Sequence, residues 1–110
     1  MSLSRWDAAT DGNQKAIIRG LRQAGFTVEY IRKPCDLVVG SQGVNTLLEI
    51  KRNEKAPLTM KQINFEFEWR GQYAVVWTLP MAVNAVLENT QRCQSNQTTK
   101  VTNTPNSPQQ

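Results

Sequence analysis

The sequence predicts an α/β (α+β) domain of order αβββαβα, a small mixed four-stranded sheet flanked by helices. Two windows place apolar residues at helical spacing between start and stop signals. Four short runs rich in branched and aromatic residues have strand length and are bounded by turn residues. A sheet with helices packed on its faces would bury every apolar stripe these windows contain.

Residues 11–24 read as the first helix. Asp11 suits the N-cap, with Gln14 as its reciprocal partner. Ile17, Ile18, Leu21 and Ala24 form the apolar stripe, and Lys15, Arg19, Arg22 and Gln23 the polar face. Gly25 fits the left-handed position after the last turn, while Gly20 is an unfavourable interior residue. Residues 26–31 alternate as a strand, and 36–39 and 46–51 are the next two. Residues 58–70 form a helix with strong start signals: Thr59-x-x-Gln62 is a capping box, and Leu58 with Ile63 a hydrophobic staple. Met60, Ile63 and Phe67 share one face, and Gly71 follows as a stop. Residues 73–77 are the fourth strand. Residues 80–87 are the last helix, with Pro80 in its first turn.

The domain is thus expected over residues 1–89. Residues 90–110 are almost entirely Gln, Asn, Ser, Thr and Pro, a composition expected to leave a disordered polar tail. The 110 residues allow one modest core. No apolar run is long enough to span a membrane, and the N-terminus lacks the apolar centre of a secretory signal. Cys35 and Cys93 read as reduced thiols, so a cytoplasmic protein is expected. Histidine is absent, which excludes His-based triads and most zinc sites. The net charge of +4 permits a nucleic-acid partner without diagnosing one.

Asp36 heads one apolar run, and Glu49-x-Lys51 closes the next. Gln42-Gly43 suits a tight hairpin between them. Centring the hairpin on those two residues sets Asp36 directly across from Glu49, on one face, with Lys51 two residues on and sharing it. Two opposed carboxylates destabilise a bare hairpin, and a divalent cation would remove that cost. Mg²⁺ takes one or two carboxylates plus waters and substrate phosphate. Asp36, Glu49 and the backbone carbonyl of Ile50 could supply the protein's share. Lys51 could then orient or deprotonate a water, or stabilise charge on a phosphodiester. The ordinary alternative is a strand-end salt bridge between Glu49 and a neighbouring base.

The order of elements, with Asp36 and Glu49-Ile50-Lys51, resembles the PD-(D/E)XK nuclease superfamily. Further points of likeness are Asp11-x-Asn13-Gln14, Ile17-Ile18-x-x-Leu21-Arg22-x-x-Gly25, Asp36-Leu37-Val38-Val39-Gly40, Leu47-Leu48-Glu49-Ile50-Lys51, Leu58-Thr59-x-x-Gln62 and Trp69-x-Gly71. Together they resemble small phage-encoded members near the VRR-NUC and Holliday-junction-resolvase-like nucleases, over residues 11–88. The resemblance implies a restriction-endonuclease-like core and Mg²⁺- or Mn²⁺-dependent DNA hydrolysis in a bacterial or phage-infected host cell, in DNA repair or recombination. It implies Asp36 and Glu49 as metal ligands, Lys51 at the water, and Gln62 at a polar position near the site. Two positions depart from the pattern. Pro34 precedes Asp36 by two residues, and Ala16 stands where many relatives carry an acid.

Gln62 therefore has two readings, capping-box partner and site residue, and one side chain could alternate between them. Arg32, Lys33, Arg52, Lys55 and Lys61 flank the proposed site and could contact phosphates; individually each is an ordinary solvated residue. Trp69 and Trp77 fit a core, Trp6 is undecided, and Cys35 reads as a small buried residue. The leading expectation is an endonuclease acting on DNA, with branched or structured DNA among its candidate substrates. Fewer than ~90 ordered residues offer little surface against the ~1,000 Å² of a specific DNA interface, so a homodimer is expected. The second helix, fourth strand or third helix would form its interface. The rivals are a catalytically inactive nuclease-fold module binding DNA or protein, and a small adaptor whose acidic hairpin contacts a host protein.

Overall fold

The computed structural model describes the backbone of residues 2–103 and the side chains of residues 13–95. Three helices and four strands follow the expected order: α1 (Ser2–Gln23), β1 (Thr27–Tyr30), β2 (Leu37–Ser41), β3 (Val44–Ile50), α2 (Met60–Glu68), β4 (Tyr73–Val76) and α3 (Leu79–Asn103). The sheet order is β1-β2-β3-β4. The first three strands pair antiparallel and β4 joins β3 in parallel, so the sheet is mixed.

The β2–β3 register is set by its turn. Gln42 and Gly43 both have positive φ, 51° and 82°. A two-residue turn needs that combination to follow the twist of the strands. Ser41 then pairs Val44 and Leu37 pairs Leu48. One step further along that ladder, Asp36 faces Glu49, as the sequence predicts.

A single core fills one face of the sheet. Ile17, Ile18 and Leu21 of α1 meet Val28, Leu37, Val39, Leu48 and Val76 of the strands and Ala82 and Val86 of α3. Gly20 has a packing reason: a Cβ there would run into the Leu79 side chain where α1 and α3 touch. Gly25 follows α1 at φ 101°. The Phe26 N–H returns to the Leu21 carbonyl at 3.2 Å, the bond that commonly closes such a helix end.

Both outer helices differ from expectation at one end. α1 starts at Ser2, so Asp11 lies inside the helix rather than at its cap. Nothing before Gly12 is a Pro or Gly, so no breaker stops the helix from running back past Asp11. Gln14 is buried rather than a surface cap partner, and its Nε2 has no hydrogen-bond partner. α3 passes Leu87 and continues to Asn103, into the segment expected to be a disordered tail. That stretch is polar but free of Pro and Gly until Pro105. Its first part is docked: Asn89 and Thr90 are buried, and the Asn89 amide reaches Thr46 Oγ1 in the middle of β3 at 3.5 Å. Residues 104–110 and the side chain of Trp6 lie outside the described residues.

The largest correction concerns α2. None of its residues is buried, and the stripe Met60, Ile63 and Phe67 points into solvent instead of onto the sheet. Gln62 and Phe65 face inward in their place, Gln62 toward Glu49 and Phe65 edge-on to Tyr73 with centroids 5.0 Å apart. Trp69 is likewise not a core residue; it is exposed and stacks on Phe65 at 5.1 Å. No helix among the described residues is long and apolar enough to cross a membrane.

Candidate functional site

The face of the sheet opposite the core carries the acidic pair. Strand alternation puts Leu37, Leu48 and Ile50 toward the core and Asp36 and Glu49 on the other side. There a cavity of about 600 Å³ opens between the β1–β2 loop, the start of β2, the end of β3 and α2. Its lining includes Asp36 and Glu49, the bases Arg32, Lys33 and Lys61, and Thr59, Gln62 and Phe65. The floor is acidic and the rim basic.

Each carboxylate is held by a dedicated donor. The Ile50 backbone N–H donates to Asp36 Oδ2 at 2.8 Å. Gln62 Nε2 donates to Glu49 Oε2 at 2.8 Å. The same Gln62 completes the capping box. Its Oε1 accepts from the Thr59 N–H at 2.8 Å, and its own N–H donates to Thr59 Oγ1 at 3.1 Å. Gln62 is therefore the capping-box partner at one end of its amide and the donor to Glu49 at the other.

Glu49 is only 5% exposed, and its carboxyl is pushed up to about 8. Burial is the main cause, followed by hydrogen bonding with Asp36 and the Asp36 charge, while the Gln62 amide pulls the other way. Cys35, buried beside the pair, donates weakly to the Leu37 carbonyl at 3.6 Å. Burial, then the charges of Glu49 and Asp36, push its thiol up to about 12, so it is a packed residue and not a nucleophile. Tyr73 was not singled out by sequence. Its hydroxyl is buried without a partner, and burial together with the neighbouring acids, Glu49 foremost, raises its pKa. Phe65 was also missed; its signal is the spacing of three from Gln62, which sets both on the inward side of α2.

Lys51 does not line the cavity. Its N–H continues the ladder to the Val76 carbonyl. Its ammonium donates to the Glu54 carbonyl at 2.8 Å and sits 5.0 Å from the centre of the Trp77 ring, within the range of a cation–π contact. Arg52 and Lys55 are exposed in the β3–α2 loop, outside the cavity. That loop is shaped by Asn53 Oδ1, which accepts from the Lys55 and Ala56 N–H groups at 2.9 and 3.0 Å. Of the five bases proposed to flank the site, Arg32, Lys33 and Lys61 are thus at the cavity. In the β1–β2 loop the Ile31 and Arg32 N–H groups both donate to the Asp36 carbonyl, at 2.8 and 3.3 Å, and Arg32 takes φ 69°. This tight return brings Arg32, Lys33 and Pro34 to the rim.

Among the described residues no three His, Cys, Asp or Glu side chains are placed to hold one metal ion together. The two opposed carboxylates remain a suitable pair for a hard divalent cation, which needs one or two such ligands and completes its shell with water and phosphate. The buried, proton-retaining Glu49 is the electrostatic deficit such an ion would relieve. Comparison with protein-family models, with curated proteins and with solved structures finds no match.

Proposed function

We propose that the chain is a Mg²⁺- or Mn²⁺-dependent deoxyribonuclease that cuts DNA internally, with branched or structured DNA among its candidate substrates. One observation carries the reading: an opposed Asp36–Glu49 pair, each carboxylate fixed by its own donor, at the floor of a cavity rimmed by Arg32, Lys33 and Lys61. In this reading Asp36 and Glu49 hold the ion, with the backbone carbonyl of Ile50 as a further oxygen. The ion's contribution when bound is a more acidic water and neutralisation of phosphodiester charge. Gln62 and the Ile50 N–H keep the carboxylates aimed. The rim bases draw the anionic backbone toward the floor, and Arg52 and Lys55 extend that positive surface along the β3–α2 loop. Lys51 would orient the attacking water, deprotonate it as the neutral amine, or as the ammonium stabilise charge on the phosphodiester; in each role its side chain first leaves the Trp77 ring. Such an activity belongs in the cytoplasm of a bacterial or phage-infected host cell.

The parked Lys51 ammonium favours a second reading, a nuclease-fold module that binds DNA without hydrolysing it. One experiment separates the two. Purified protein is incubated with linear, single-stranded and four-way-junction DNA in Mg²⁺ or Mn²⁺, beside Lys51→Ala and Glu49→Gln. Cleavage by the wild type that falls at least a hundredfold in both variants supports hydrolysis. Binding with no cleavage of any substrate, or equal cleavage by the variants, rejects it.

A further inference from the structure

α2 is anomalous as a helix of a small domain. It has nine residues, a length at which helicity is marginal in water without tertiary packing. Yet its apolar stripe faces away from its own sheet. At about 100° per residue, Met60, Ile63 and Phe67 fall within roughly 60° of arc, and the inward pair Gln62 and Phe65 lies roughly opposite. The outward residues are 69%, 44% and 86% exposed, and neighbouring Trp69 is 45% exposed. With about 200 Å² for a whole large side chain as the scale, the three outward residues leave about 400 Å² of side-chain surface in water. One partner of a standard interface contributes about 800 Å². A single helix face therefore already supplies about half of one partner's share.

We infer that this face of α2 is covered by the same face of a second copy of the chain. Two features favour a copy over other occupants. The stripe itself carries no Lys, Arg, Asp or Glu; Asn64 borders it about 40° away on one side and Glu66 about 60° away on the other. Nucleic acid would find no cation there, and self-docking brings no like charges together. Uncharged, apolar surface is also the mark of homodimer interfaces, which are more apolar than interfaces between separately stable partners. A two-fold axis near Ile63 lays the stripes antiparallel, each Phe67 toward the partner's Met60 end. The consequence reaches the cavity, because the other side of this helix holds Glu49 through Gln62. Dimerisation supplies the burial that α2 lacks and so steadies one wall of the site. The inference does not depend on the site being hydrolytic.

The test is sedimentation velocity and light scattering of the full chain from 1 to 100 µM, for wild type and Phe67→Glu. The exposed Phe67 can be changed without touching the core, and far-UV circular dichroism confirms that the variant folds. The expected result is a wild-type dimer whose dissociation constant rises at least thirtyfold in the variant, as for a lost interface anchor. Hydrogen exchange at α2 amides should slow as wild-type concentration rises and stay fast in the variant. A wild type that is monomeric at 100 µM overturns the inference, and so does a dimer that survives Phe67→Glu. Glu49→Gln should dimerise normally, so loss of cleavage and loss of the dimer are read independently.

Discussion

Replacing Glu49 with Gln should stabilise the metal-free domain at pH 8 and leave it unchanged at pH 4. The folded carboxyl keeps its proton up to about pH 8, while the unfolded chain releases it near 4.5. Between those values the folded state binds more protons than the unfolded state, so stability falls as pH rises, and the loss is complete above about 8. A difference of that width corresponds to about 5 kcal/mol without solvent screening. The cavity is open to water, and screening there reduces the figure to about 2 kcal/mol. Gln at this position resembles the protonated acid: its carbonyl still accepts from Gln62 Nε2 and its amide can donate to Asp36. The measurement is urea unfolding in EDTA at pH 4, 5, 6, 7 and 8. Wild type should lose about 2 kcal/mol across the series and Glu49→Gln almost none. Parallel curves, or a variant less stable than wild type at pH 8, would refute the claim that an unrelieved buried carboxyl sits here. Adding Mg²⁺ at pH 8 should then restore wild type alone, by about 2.7 kcal/mol at a hundredfold excess over its dissociation constant.

Gln62→Ala removes an acceptor from the Thr59 N–H and a donor from Glu49, and should cost about 1–2 kcal/mol. Because the Gln62 amide opposes the upward push on Glu49, the same variant should move the Glu49 titration to higher pH, read by carboxyl carbon NMR; an unmoved titration would break the proposed link. Gly20→Ala gains about 1 kcal/mol in helix propensity but drives a methyl into Leu79, for a net cost of about 1 kcal/mol. In a Leu79→Ala background the same change should become stabilising, and strict additivity of the two changes would show that Leu79 is not the obstacle.

What could be read from the sequence was what local chemistry decides. Gln42-Gly43 dictates a two-residue turn, the turn dictates the register, and the register puts Asp36 across from Glu49. Thr59 and Gln62 cap the helix they begin, and Gly25 closes the helix before it. The misread features depend on what is not local. Asp11 is a good cap residue but does not compel a cap, and a polar tail without Pro or Gly can stay helical when its first residues dock on β3. Helical periodicity shows that Met60, Ile63 and Phe67 share a face, but not whether that face meets its own chain. Lys51 lies at the expected position, yet its ammonium follows the nearest favourable partners, the Trp77 ring and the Glu54 carbonyl.

Gln62 marks the boundary between the two kinds of information. A capping box accepts Glu or Gln at its third position, because only an acceptor for the cap N–H is needed. Glu there would present a second carboxylate to Glu49 and raise its pKa further. Gln uses its carbonyl oxygen on Thr59 and keeps an amide to donate, and Glu49 is the group that takes it. The choice of Gln over Glu is thus the trace that the cavity leaves in the helix start. It becomes readable once the hairpin register has put a buried carboxylate within the reach of α2.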